Sequence, residues 1–175
     1  MTPFTIREVT SSDAEAIHDF NMRWAAEYPN LDTPIQIQHV PSIEKIKDQI
    51  HDTLRSDVAT QFIAVADDVV IGIVLVHPGQ FGDADRHAVG ISTYIDKHWR
   101  GEGVGKALMQ QLLEWATTHP IIERVSLQVY ETNTPAIRLY EQFGFAHEGR
   151  MRRAYYQRGR YIDMLIMALL FEPKR

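Results

Sequence analysis

Apolar and polar positions follow strand or helix spacing over most of the chain. Phe4-Thr5-Ile6-Arg7-Glu8-Val9 alternates and reads as a first strand. Ser11, Ser12 and Asp13 offer capping oxygens ahead of a helix over Ala14–Tyr28, which carries Ile17, Phe20 and Trp24 on one face. Pro29, Pro34 and Pro41 bracket a loop over Asn30–Val40. A second helix from Ser42 carries Ile43, Ile46, Ile50 and Leu54 at helical spacing. Gln61–Ala66 and Val69–Val76 are strand-length runs joined at Asp67-Asp68, which predicts a hairpin. Pro78, Gly79, Gly82 and Asp83 mark a loop before a fourth strand, His87–Ile95. A helix over Val104–His119 is stopped by Pro120 and followed by a fifth strand, Arg124–Val129. Thr134 offers a cap for a further helix with Pro135 at its first position, which runs to Phe143 and stops at Gly144. Phe145–Met151 and Tyr161–Leu170 read as the last two strands. The order βααβββαβαββ, with no repeat or linker, predicts one α/β (α+β) domain over residues 1–175.

Composition narrows the classes. The chain has 175 residues, 45% hydrophobic and 23% charged, enough for a packed core. The net charge of -5 argues against a general nucleic-acid binder and mildly favours cationic partners. There is no cysteine, which excludes disulfides, thiolate nucleophiles and zinc–thiolate sites. Met1–Val9 lacks the layout of a secretory signal. The longest apolar run, Met164–Phe171, is strand-sized rather than membrane-spanning. The expectation is a cytoplasmic protein without membrane or nucleic-acid partners.

One stretch carries chemistry. Arg100-Gly101-Glu102-Gly103-Val104-Gly105-Lys106 lies between a strand and a helix. A helix start presents unpaired N–H groups and the positive end of its dipole, and glycines let a ligand approach the backbone. Such a turn suits a pyrophosphate. A phosphate-binding P-loop fails at Arg100 and at Ala107. In a dinucleotide fingerprint the third glycine would come one residue later. A turn that merely connects two elements remains open on these residues alone.

The following segment sharpens the picture. After the fifth strand come Asn133, Ala136, Leu139-Tyr140 and Gly144-Phe145. Together with the Arg-Gly-x-Gly-x-Gly turn about 30 residues earlier, this run resembles the GNAT superfamily of N-acetyltransferases, and the element order resembles it across nearly the whole chain. The resemblance implies a central mixed, mostly antiparallel sheet, flanked by helices and splayed between strands 4 and 5, with acetyl-CoA as co-substrate in the split and no metal. It places the pyrophosphate on the backbone of Gly101, Glu102, Gly103, Val104, Gly105 and Lys106, with a charge contact from Arg100. It runs the pantetheine arm beside Tyr94 and Ile95, with the Ile95 N–H polarising the thioester carbonyl. Asn133 either bonds the pantetheine or caps a turn. Tyr140 falls at the family's general-acid position; packing against Ala136, Ile137 and Phe143 is the other reading of that ring. Some members carry a glutamate base on the fourth strand, whereas His87–Ile95 has no carboxylate. Ser92 and Thr93 could hold a water, Glu131 or Asp96 could reach the site, and His87 and His98 read as surface residues. No base is assigned.

The acceptor is less legible. Glu148-Gly149, Arg153, Gly159, Tyr161 and Asp163 resemble the branch holding ribosomal-protein alanine, amino-acid and polyamine acetyltransferases. A basic hairpin with Arg150, Arg152, Arg153, Arg158 and Arg160 either binds an acceptor carboxylate or the adenosine 3′-phosphate, or is a solvated face. Tyr155, Tyr156 and Asp163 could line an acceptor pocket, and Glu27 and Asp32 could attract an amine. The expected reaction is acetyl transfer to a small-molecule amine or amino acid by direct attack. A protein N-terminal or lysine acetyltransferase and a non-catalytic acyl-CoA sensor stand as alternatives. The apolar last strand suggests a homodimer.

Overall fold

In a computed structural model, which describes residues 3–27, 40–157 and 159–174, the expected element order is present. The elements are β1 (Thr5–Glu8), α1 (Ala14–Ala26), α2 (Ile43–Arg55), β2 (Thr60–Ala66), β3 (Val69–Pro78), β4 (Ala88–Ile95), α3 (Val104–Thr118), β5 (Arg124–Tyr130), α4 (Thr134–Gln142), β6 (Ala146–Gln157) and β7 (Arg160–Leu170). Asp67 and Asp68 both take left-handed φ, 47° and 62°, as a tight β2–β3 hairpin requires. The expected loop over 30–40 and residues Asp32 and Arg158 lie outside the described residues, apart from Val40.

All seven strands join one sheet in the order β1-β2-β3-β4-β5-β7-β6, and every pair is antiparallel except β4–β5. Its two faces explain the sequence pattern. Ile63, Val70 and Ile73 bury with Ile17 and Phe20 of α1 and Ile46 and Ile50 of α2. Val74, Val76, Val89 and Ile91 bury with Val104, Leu108 and Leu112 of α3 and Tyr140 of α4. Gly72 lets α3 come close: a Cβ there would lie 2.9 Å from Val104 and 3.1 Å from Leu108.

Two details depart from the sequence reading. β6 continues past Met151 to Gln157, because Asp163 accepts the Arg153 N–H at 2.7 Å and holds a register slip between Met151 and Tyr155. β7, the strand expected to pair across a dimer, is hydrogen-bonded on both sides, to β5 and β6. Residues 164–168 carry partners on both sides, and β6 lies at that end of the sheet.

The N-terminus is fastened by one ion pair. Arg7 meets Asp13 at 2.7 and 2.6 Å, and Asp13 also accepts the Thr10 N–H and hydroxyl, each at 2.7 Å. The Arg7 bond, first among these, holds the Asp13 carboxyl at about 2, below the ordinary 3.8. The ionised form is the one favoured by folding. Its stabilisation is therefore complete above about pH 4 and is lost as pH falls from there through the folded value. Asp13→Asn should cost about 1–2 kcal/mol at neutral pH, a figure reduced because Arg7 is half in solvent. It should also flatten the acid limb of stability in urea melts; an unchanged acid limb would remove Asp13 from that role.

Candidate active site

The parallel β4–β5 ladder has only three residue pairs, Ala88–Arg124, Val89–Val125 and Gly90–Ser126. Beyond Gly90 the strands part. A cavity of about 1150 Å³ fills the split and extends over both faces of the sheet. Its wall includes Ile91 to Ile95 of β4, Leu127 to Tyr130 of β5, and Asn133, Leu139 and Tyr140 of the α4 segment.

Register fixes which backbone groups face the split. Every β3–β4 pair keeps one offset, from Gly72–Ile95 to Pro78–Val89, and the Asp96 N–H donates to the Ile71 carbonyl at 2.9 Å. In an antiparallel ladder, hydrogen-bonded pairs alternate. Tyr94 and Ser92 therefore spend their backbone groups on β3, whereas Ile91, Thr93 and Ile95 turn theirs toward the cavity. Of the two strand residues singled out by sequence, Ile95 thus supplies the inward N–H. Tyr94 contributes a ring, packed edge-on against Trp24 at 5.0 Å.

The glycine turn carries the conformations that glycine allows. Gly101 and Gly103 have φ of 82° and 86°, and a Cβ on either would meet open space. Gly103 is the N-cap of α3. The first intrahelical bond runs from the Ala107 N–H to the Gly103 carbonyl at 3.0 Å, so the amides of Val104, Gly105 and Lys106 precede it. Gly105 has a second duty, since a Cβ there would lie 3.3 Å from Leu139 of α4. The Val104 side chain is wholly in the core, while Glu102 and Lys106 are exposed.

Arg100 is engaged differently from the sequence expectation. Its guanidinium donates to the Ile95 carbonyl at 3.2 and 3.1 Å and meets Glu27 at 2.5 Å. Glu27 also accepts the Lys97 N–H at 3.0 Å. Arg100 thereby ties the end of α1 to the end of β4, and Glu27 is committed to this bracket.

Tyr140 is buried, its ring tilted against Phe145 at 5.8 Å, and it also lines the cavity. Burial pushes its phenol above the ordinary value of 10; the Thr93 hydroxyl beside it pulls partly back, and Tyr94 adds to the rise. The Thr93 Oγ1 is itself buried without a hydrogen bond of regular geometry among the described residues. Asn133 caps α4, its Oδ1 accepting the Ala136 N–H at 3.4 Å, while also facing the cavity.

The other expected residues divide. Tyr155 stands edge-on to Tyr130 at 5.2 Å, and both line the cavity, as does Arg160. Tyr156 instead packs on Tyr161 at the exposed end of the hairpin. Arg150 is held by Asp163 at 2.6 Å and by Glu131 at 2.5 Å, so this trio braces the hairpin. Asp96 caps a turn through the His98 N–H and pairs with Arg23. Neither Glu131 nor Asp96 lines the cavity, and His87 and His98 do not either. Sequence reading passed over Trp24 and His77, which do. Trp24 was visible only as one apolar position of a helix, and His77 fell between the strand expected to end at Val76 and the loop marked by Pro78.

The arrangement joins a backbone N–H aimed into a cleft, a helix start at one end of it, a buried phenol and an aromatic wall. Comparison with known proteins agrees. A family model described as "Acetyltransferase (GNAT) family" matches residues 19–145. The L-amino acid N-acetyltransferase AaaT of Escherichia coli strain K12 is 28% identical over 168 residues, covering 96% of this chain and 98% of that protein. The crystal structure of a GNAT-family acetyltransferase from Streptococcus pneumoniae superposes with a TM-score of 0.88 at 26% identity, over 97% of this chain and 99% of the other. The fold is shared with yncA from Salmonella typhimurium, solved with its cofactor acetyl-CoA, at a TM-score of 0.81 and 20% identity over 97% and 94% of the two chains.

Proposed function

The chain belongs to the GNAT acetyltransferase family and is an acyl-CoA-dependent N-acetyltransferase, and on that premise we propose that it moves an acetyl group from acetyl-CoA to the primary amine of a small molecule, with a free amino acid as the leading acceptor. The observation that carries this reading is the split itself. Strand pairing stops after Gly90–Ser126, and the inward backbone of Ile95 shares the resulting cavity with the Tyr140 phenol.

Acetyl-CoA supplies the activated acetyl thioester. The residues present fit it: left-handed Gly101 and Gly103 leave room for a pyrophosphate against the α3 amides, and the unpaired edge of β4 offers Thr93 and Ile95 to an amide-bearing arm, in the manner of an added strand. The Ile95 N–H stabilises charge developing on the carbonyl oxygen. Tyr140, kept protonated by burial, gives its proton to the departing sulfur. Arg100 holds the Ile95 carbonyl and so fixes the strand that carries the oxyanion donor.

The acceptor reading rests on the cavity wall and on the likeness to AaaT along nearly the full length of both chains. Trp24 and Tyr94 on one side, and Tyr130 and Tyr155 on the other, make a largely aromatic wall with Arg160 at its margin, suited to an amine bearing an apolar group and a carboxylate. Thiol release from acetyl-CoA across a panel of free amino acids, polyamines, aminoglycosides and short peptides tests it. Turnover confined to amino acids is expected. Turnover only with peptides or only with polyamines would overturn the acceptor assignment, and release with none of them would overturn the proposed transfer as a whole.

A further inference from the structure

An amine that attacks a thioester must shed a proton, and the sequence offered no carboxylate on β4 to receive it. Glu131 and Asp96 are spent on the hairpin brace and on a turn cap. One titratable ring in the cavity wall has no part in the mechanism above: His77, near the end of β3. It stands opposite Gly90, and its Nε2 lies 3.1 Å from the Ser92 hydroxyl. Gly90 is also the last β4 residue paired with β5, so His77 and Ser92 flank the point where the split opens.

Side chains alternate across a strand. Ser92 falls on the same face of β4 as Tyr94, which packs with Trp24 in the α1–α2 layer. Thr93 falls on the opposite face, beside Tyr140. The phenol and the imidazole thus approach the split from opposite faces of the sheet. In the tetrahedral adduct nitrogen and sulfur occupy two different bonds of one carbon, so the group that takes the amine proton and the group that protonates the sulfur can be separate and can reach it from different faces.

We infer that His77, oriented by Ser92, is the general base of the transfer. With Nε2–H donated to the Ser92 hydroxyl, Nδ1 is left to accept the amine proton through a chain of waters along the cavity, since Gly90, opposite His77, and Ile95 lie five residues, about 16 Å, apart on β4. The nitrogen lone pair forms the C–N bond, the C–S bond breaks with its electrons on sulfur, the amine proton passes to His77 and the Tyr140 proton passes to the thiolate. His77 then yields its proton to solvent, from which Tyr140 regains one. Partial desolvation at the cavity mouth lowers the imidazole below its ordinary 6.5, although the side chain stays exposed to solvent, and this favours the neutral ring. Among the described residues, the charged and titratable groups that share the cavity lining with His77 are Tyr94 on β4, Asp85 held by the amides of Gln80 and Phe81, Arg100, Arg124 paired with Glu148, Tyr130, Tyr140, Tyr155, and Arg160 on β7.

This inference rests on the acetyl transfer proposed above. The test uses the full chain with acetyl-CoA and the fastest acceptor of the panel, comparing wild type, His77→Gln, His77→Ala and Ser92→Ala. For His77→Gln, kcat/KM for the acceptor should fall roughly 10²–10⁴-fold at neutral pH. Its rate should then climb with pH along the ionisation of the free amine, without the wild-type acid limb. Added imidazole should restore part of the His77→Ala rate, and Ser92→Ala should be intermediate. Calorimetry should find acetyl-CoA affinity unchanged in all four, which separates loss of the base from loss of the fold. A His77→Gln protein with the wild-type rate and pH profile would overturn the inference while leaving the transfer reading intact. A wild type that releases no thiol with any amine would overturn both.

Discussion

Tyr140→Phe should lower kcat by about 10²–10⁴-fold, the usual contribution of general acid catalysis, with acetyl-CoA affinity within about twofold of wild type. The substitution removes only a hydroxyl. The ring keeps its contact with Phe145 and its place in the core, so the fold is retained. What disappears is a proton held on a group that burial has made reluctant to ionise. A phenol raised above its ordinary value stays protonated further into the alkaline range. The alkaline limb of kcat should therefore lie above the value for free tyrosine. Thr93 partly opposes that rise, so Thr93→Val should move the limb higher still, whereas Thr93→Ser should leave it in place. A Tyr140→Phe protein that turns over within about twofold of wild type would remove the phenol from the chemistry.

Gly103→Val should weaken acetyl-CoA binding by at least about tenfold, equivalent to about 1.4 kcal/mol, as read by calorimetry. Two effects act together. At φ of 86° a β-branched residue is strained by about 1–2 kcal/mol, which tilts the turn away from its present shape. The side chain would also stand in the open space before the α3 amides, where a pyrophosphate must come close. The two can be told apart, because the strain lowers the melting temperature whether or not acetyl-CoA is present, whereas the blocked approach appears only in the affinity. Unchanged affinity in a folded Gly103→Val protein would dismiss the turn as the phosphate seat.

The fold was legible in the sequence because each element carries a local signal. Ile43, Ile46, Ile50 and Leu54 repeat with helical spacing; Asp67-Asp68 is a turn; Pro135 and Gly144 bound a helix. Part of the site was legible for the same reason, since the glycine turn and the Asn133–Phe145 run are each contiguous. What escaped depends on register and on long-range partners. The Arg100–Glu27 bracket joins residues 73 positions apart, and no periodicity announces it. His77 meets Ser92 only once β3 and β4 are paired at their observed offset. The length of β6 depends on an aspartate on the neighbouring strand holding a bulge, a long-range contact that the local pattern does not mark.

Three pairs of residues are all the strand contact that joins β1–β4 to β5–β7. Mechanically the sheet is two plates sharing a short weld, with the remaining stiffness supplied by α3 and α4 lying across one face. The phenol and the aromatic hairpin ride on the second plate; the inward backbone of Ile95 and the rings of Trp24 and Tyr94 ride on the first. A change at the weld, at Ser126, whose hydroxyl donates to the Val89 carbonyl, would touch none of these groups and yet alter the angle at which they confront one another. Loss of a ladder pair there should therefore be felt at the site.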